Sequence, residues 1–153
     1  MVPFVRSCVA FAILLFASSV HAATYTVTKT ADTNDGACDA DCSFREAVTA
    51  ANATADNDAI VFSSTVFFSP QTITLSGTEI VILSNGSLTI TGPGFQKLTI
   101  SGNNTSRILT ISRAVANISG ITFTGGNGVG VDDSGRAGAI YNFGGTTVIS
   151  DSV

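Results

Sequence analysis

From Ala59 onward, short apolar triplets recur along the chain: Ile60-Val61-Phe62, Ile73-Thr74-Leu75, Ile80-Val81-Ile82, Leu88-Thr89-Ile90, Leu98-Thr99-Ile100, Leu109-Thr110-Ile111, Ile121-Thr122-Phe123 and Thr147-Val148-Ile149. Alternation at period two marks a half-buried strand, so each triplet predicts a minimal β-strand. Thr24-Tyr25-Thr26-Val27-Thr28 alternates in the same way and predicts one more. Between them the period changes. Phe44, Ala47, Val48 and Ala51 fall at i, i+3, i+4 and i+7, which predicts an amphipathic helix over residues 44–53. Ser43 stands three residues before Glu46, the spacing of a capping box in which hydroxyl and carboxylate satisfy each other's orphaned backbone donors. Arg45 and Glu46 are expected to project toward water or the helix edge, in capping and solvation roles.

The triplets also repeat in kind. Leu88-Thr89-Ile90-Thr91-Gly92 matches Leu98-Thr99-Ile100-Ser101-Gly102 ten residues later, and Ile118-Ser119-Gly120 continues the theme. Such self-similarity, with Gly and Asn at the turns, reads as a solenoid. An antiparallel sandwich shares the strand spacing, but these strands are very short and two-residue hairpin signals are rare, Asn85-Gly86 being the clearest. In a parallel β-helix the first and third residues of each triplet point inward and stack on like residues, while the middle one faces solvent. Asn103, Asn117 and Asn142 are then expected to form amide ladders. A solenoid also needs closed ends. The helix from Phe44 supplies an N-terminal plug, whereas the last triplet meets only Asp151-Ser152-Val153. The expected fold is therefore an all-β parallel β-helix with an N-terminal capping strand and a short amphipathic helix, C-terminally truncated, with further coils in a longer protein.

The N-terminus adds a compartment. Arg6, the ten-residue apolar run 8–17 and Val20-His21-Ala22 form the positive, hydrophobic and cleavage regions of a signal peptide, too short to span a bilayer. The expected division is a signal peptide over 1–22, a cap over 23–58 and β-helix coils over 59–153. Cleavage removes His21 and Met1, and the chain has no Trp, so imidazole catalysis is excluded from the exported part. A net charge of −4 without a Lys/Arg cluster argues against nucleic acid and anionic membranes. Cys38 and Cys42 remain, and in an oxidising compartment a disulfide is the leading reading. Free thiols are the alternative if three intervening residues cannot bring the Cβ atoms together. A zinc half-site lacks further Cys or His ligands.

At Cys42-Ser43-Phe44-Arg45-Glu46-Ala47 the sequence resembles the CSLREA motif, with Phe44 in place of the usual Leu and Val48 where Ile is common. Asp35-Gly36-x-Cys38 before it fits the pattern, as do Ala50-Ala51-Asn52, Asp58-x-Ile60-x-Phe62 and Gly92-Pro93-Gly94 after it. The chain is thus similar to the N-terminal domain of bacterial CSLREA-domain surface proteins, over essentially all of its exported length. That resemblance implies a right-handed β-helix of the pectin-lyase-like shape in a large secreted or cell-surface protein. Gly125-Gly126 and Gly138-Ala139-Ile140 resemble the repeats of polymorphic outer-membrane proteins, with Ala137 where their first Gly belongs.

Chemistry is sparse. Asp132-Asp133 is the only adjacent carboxylate pair, and paired acids can hydrolyse glycosides. Neighbours on a strand point to opposite faces, and the further Asp, Gly-His-Gly and Arg-x-Lys that accompany such a pair in pectin-degrading hydrolases are missing. Residues 125–130, Gly-Gly-Asn-Gly-Val-Gly, satisfy neither a dinucleotide fingerprint nor a calcium repeat and read as a flexible turn. No cofactor or metal is expected. Two functions stand: a non-catalytic adhesin or surface-display module whose polar faces bind carbohydrate or another cell-surface ligand, and the cap segment of a polysaccharide-degrading lyase or hydrolase whose active site lies beyond residue 153. The first is favoured.

Overall fold

A computed structural model describes residues 21–83, 85–130 and 135–153. The segment expected to be cleaved lies outside the described residues apart from His21 and Ala22, as do Asp132 and Asp133. In chain order the elements are β1 (Thr24–Val27), α1 (Phe44–Asn52), β2 (Asp58–Phe62), β3 (Gln71–Thr74), β4 (Ile80–Leu83), β5 (Ser87–Thr91), β6 (Leu98–Ser101), β7 (Leu109–Ser112), β8 (Val115–Ser119), β9 (Thr122–Thr124), β10 (Ile140–Phe143) and β11 (Thr146–Ser150). The class is all-β, and every strand pairing among the described residues is parallel.

Three sheets share the strands. One runs β1-β2-β5-β8-β11, a second β4-β7-β10 and a third β3-β6-β9. From β2 on, each strand pairs with the one three elements later, so the sheets are visited in rotation. The register lines up like residues. Ile60, Ile90, Ile118 and Ile149 stand side by side across the first sheet, Ile80, Leu109 and Ile140 across the second, and Ile73, Ile100 and Phe123 across the third. Partners in the first row are roughly 30 residues apart, the spacing of one supersecondary unit. The ten-residue match between Leu88–Gly92 and Leu98–Gly102 therefore relates neighbouring sheets, β5 to β6, and not stacked strands.

First and third triplet positions make the core. Ile60, Ile73, Ile90, Leu98, Ile100, Leu109 and Ile111 are fully buried, whereas Thr74 and Thr89 between such positions are exposed. Thr110 breaks the rule: a middle residue, it is buried beneath charged neighbours described below. Corners are tight. A Cβ at Gly92 would collide with the carbonyl of Gly120, so the corners after β5 and β8 pack backbone against backbone, which only glycine permits.

The asparagine ladder is not formed. Asn117 lies in β8, Asn142 in β10 and Asn103 in the turn after β6, so the three belong to different sheets. Asn142 instead closes its own turn, its amide accepting from the Gly145 N–H at 2.9 Å and donating to the Gly145 carbonyl at 3.0 Å. Asn85-Gly86 likewise makes no hairpin, since β4 and β5 belong to different sheets.

The ends of the rows differ. At one end α1 packs on β1, β2 and β4, burying Phe44, Ala47, Val48 and Ala51. Its Asn52 side chain acts as a surrogate strand for β4, donating to the Val81 carbonyl at 2.8 Å and accepting from the Leu83 N–H at 2.9 Å. At the other end Ile149 is 47% exposed, where Ile90 in the same row is at 0%. Val153 lies beside β9, accepting from the Phe123 N–H at 2.8 Å and donating to the Ile121 carbonyl at 3.1 Å.

Candidate functional site

The Cys42–Ala47 motif is a structural joint. Cys38 and Cys42 form a disulfide with Cα atoms 4.5 Å apart, which leaves neither sulfur as a free thiol. Ser43 is the N-cap of α1, and both halves of the capping box are made: the Ser43 hydroxyl accepts from the Glu46 N–H at 3.0 Å, and Glu46 Oε2 accepts from the Ser43 N–H at 2.6 Å. Phe44 and Ala47 enter the core.

Two expectations about this segment are corrected. Glu46 does not face water; it is 1% exposed. Its second oxygen accepts from the Asp35 N–H at 3.0 Å, and Lys29 approaches to 3.5 Å, so one carboxylate organises the loop before the helix as well as the helix itself. Burial pushes its pKa up, but the Ser43 and Asp35 donors and the Lys29 charge outweigh that and hold it below the usual carboxylate range. Arg45 is not free in solvent either. Its guanidinium forms a two-point fork on Asp32, 2.8 Å at each contact, and donates to the Thr78 and Glu79 carbonyls at 2.7 and 3.0 Å. Asp32 in turn accepts from the N–H and hydroxyl of Ser76 at 2.8 and 2.9 Å, so the motif arginine ties the cap loop to the chain entering β4.

A second polar centre grows from the same stretch. Glu79 precedes β4 and Arg107 lies just before β7, and both side chains are sealed from solvent at 1% and 0% exposure. A buried guanidinium must place its donors. Arg107 Nη1 donates to Glu79 Oε2 at 2.8 Å and to the Thr110 hydroxyl at 3.0 Å, Nη2 to the Gly128 and Arg136 carbonyls at 3.3 and 2.8 Å, and Nε to Arg136 at 3.2 Å. The Thr110 hydroxyl in turn donates a hydrogen bond to Glu79 Oε2 at 2.6 Å. The Tyr141 ring lies 4.8 Å from the Arg107 carbon, a cation–π contact. Residues 128–130 of the glycine-rich stretch therefore pack on Arg107: the Gly128 carbonyl accepts from its guanidinium, the Val129 carbonyl accepts from its main-chain N–H, and a Cβ at Gly130 would strike the Arg107 and Glu79 side chains.

This cluster forms one wall of a groove of about 220 Å³ on the outer face of the second sheet, lined by Glu79, Val81, Leu83, Thr110, Ser112, Tyr141 and Phe143. Two rows of residues make it. Val81, Thr110 and Tyr141 are register partners across the three strands, and Leu83, Ser112 and Phe143 are the next outward row. Strand geometry makes the patch roughly 10 Å across by roughly 7 Å along. Leu83 and Phe143 are exposed at 47% and 45%, and the Tyr141 and Phe143 rings lie 6.3 Å apart at 30°. Among the described residues the groove lining holds one carboxylate, Glu79, already occupied as an acceptor for Arg107 and Thr110.

None of the groove residues was singled out from sequence. A usable signal existed: in a chain with only 12% charged residues, Glu79 and Arg107 each abut an apolar run. No helix among the described residues is long and apolar enough to cross a membrane. Comparison with protein families, with curated proteins and with solved structures finds nothing that matches this chain.

Proposed function

We propose that the chain is the capped N-terminal part of a secreted or cell-surface right-handed parallel β-helix of the CSLREA-domain kind, a non-catalytic module that displays a ligand-binding surface as an adhesin does. The observation that carries it is the asymmetry of the stacked rows: α1 and its disulfide loop close one end, and Ile149 leaves the other open. That asymmetry supports an open face on β11 that can accept a further strand layer. The charged n-region, apolar run and small-residue cleavage pattern over residues 1–22 support export, as does a disulfide between Cys38 and Cys42. The groove on the β4-β7-β10 sheet is the surface offered to a ligand.

Expression of the full chain in a Gram-negative host tests this reading. The expected product leaves the cytoplasm with Ala23 as its first residue and releases no reducing ends from polysaccharides. An intact N-terminus held in the cytoplasm overturns export, and sugar release overturns the non-catalytic assignment.

A further inference from the structure

We infer that the α-ammonium group created by cleavage before Ala23 docks on the buried carboxylate of Asp58, an ion pair that the uncleaved chain lacks. This rests on the reading of residues 1–22 as a signal peptide and names a site that processing fills. Hydrolysis of the Ala22–Ala23 amide consumes one water, leaving a carboxylate on the released Ala22 and an amine on Ala23. That amine takes up a proton at neutral pH, since an α-amino group ordinarily titrates near about 8. Its partner already stands in place. The Ala23 nitrogen donates to Asp58 Oδ1 at 2.8 Å, and the Ala23 carbonyl accepts from the Ala59 N–H at 2.8 Å. Two bonds to consecutive residues of β2 thus hold Ala23 in the β1–β2 register, where Thr24 lies opposite Ala59. His21 and Ala22 are exposed, so their loss uncovers no core.

Asp58 needs such a cation. The residue is only 3% exposed, and its other oxygen accepts from the Thr54 hydroxyl at 2.5 Å. Among the described residues no Lys or Arg pairs with it. A buried carboxylate met by neutral donors alone is costly, and a charge on a nitrogen already in contact offsets that cost. Asp56 adds to the negative field. Its Oδ2 accepts from the His21 N–H at 3.0 Å, a partner that leaves with the cleaved segment, and its Oδ1 is buried without a hydrogen-bond partner. Tyr25 on β1 senses the same field: burial, then the Asp58 charge and more weakly the Asp56 charge, push its hydroxyl above the usual range against a Thr54 hydrogen bond. The other elements packed here bring no competing charge. β5 sets Leu88 opposite Asp58, and the charged residues of α1, Arg45 and Glu46, are engaged at its far end by Asp32 and by the Ser43 and Asp35 N–H groups.

Two forms of the chain from Ala23 test this, one with a free α-amino group and one acetylated there. The acetylated form keeps the Ala23 N–H and a carbonyl where Ala22 had its own, so it removes charge alone. Both forms contain every described strand and α1. Both are released from a fusion partner by a protease that leaves no added residue, with Cys38 and Cys42 oxidised, so neither depends on export. NMR titration of the Ala23 amine should place its pKa about a unit or more above the ordinary value of about 8, a tenfold tighter hold on the proton, and Asp58→Asn should return it there. A raised native value means that the ion pair stabilises fully below about pH 8 and fades as pH rises through that value. The free form should therefore show the higher urea midpoint at neutral pH, with the difference closing in alkali and absent in Asp58→Asn. An amine titrating at or below its ordinary value, equal midpoints for the two wild-type forms at neutral pH, or a difference that survives Asp58→Asn overturns the proposal. The first two outcomes do not require the Asp58 variant to fold. A leader retained in the host overturns export but leaves this titration unaffected, so the two readings fail separately.

Discussion

Arg107 and Glu79 face each other at 2.8 Å with both side chains withdrawn from water, and the main-chain carbonyl of the same Glu79 is held by Arg45 at 3.0 Å. One residue thus joins the capping motif to the wall of the groove. Removing the guanidinium takes the Arg107 charge from a buried carboxylate beside Thr110 and takes a donor from the carbonyls of Gly128 and Arg136. Arg107→Met is expected to cost about 3–5 kcal/mol, read as a lowered urea midpoint. Adding Glu79→Gln removes the uncompensated charge, so the double variant should recover part of that loss. A double variant less stable than Arg107→Met alone would mean that the pair is not the organising contact.

Acid should loosen the cap through Glu46. Its folded carboxyl ionises below the ordinary range, so the stability it brings is complete above that range and is lost as pH falls through it toward the lower native value. Thermal melts between neutral pH and pH 3 should show the wild type losing stability steeply, and Glu46→Gln losing less over the same interval. At neutral pH, Glu46→Ala should cost about 1–2 kcal/mol, the scale of a lost cap. Parallel pH profiles for wild type and Glu46→Gln would contradict the assignment.

The alternation of apolar positions made much of this architecture readable, because period two survives wherever a strand buries one face. β8 and β10 escaped the triplet reading for a physical reason: Ala116 fills a fully buried core position with a small side chain, and Asn142 occupies the place partnered by Ile111 while bonding its own turn. The roles of Arg45, Glu46, Glu79 and Arg107 depend on partners tens of residues away, such as Asp32 to Ser76 or Glu79 to Arg107, and no local period encodes those meetings. The reason for the arginine in the Cys42–Ala47 segment is visible only once the chain entering β4 lies beneath it.

Reduction offers a separate test of the cap. The Cys38–Cys42 bridge closes a loop of sequence separation 4, worth about 2 kcal/mol by the chain-entropy argument. Cys42 also receives the first hydrogen bonds of the cap, its N–H donating to the Thr28 hydroxyl and its carbonyl accepting from the Thr28 N–H, each at 2.8 Å. Cys38→Ser with Cys42→Ser, or reductant, should therefore lower the melting temperature and raise hydrogen exchange first at residues 28–46. Exchange that rises uniformly along the chain would show that the bridge acts on global unfolding alone.

The same isoleucine row predicts two opposite mutational outcomes. Ile90 is at 0% exposure between Ile60 and Ile118, so Ile90→Ala removes three carbons from a closed core and leaves a cavity that its neighbours can only partly fill. The expected cost is about 2–4 kcal/mol. Ile149 is the same residue type in the same row but 47% exposed, and Ile149→Ala should cost about 1 kcal/mol or less in this chain. When the chain carries a further layer of parallel strands, that layer buries Ile149, and the cost of Ile149→Ala should climb to the value found for Ile90. Urea midpoints of both variants, with and without the added layer, measure this directly. Equal costs in the present chain would show that exposure at the end of the row does not track burial along it, and a cost at Ile149 that stays small after extension would show that new strands do not stack on this end.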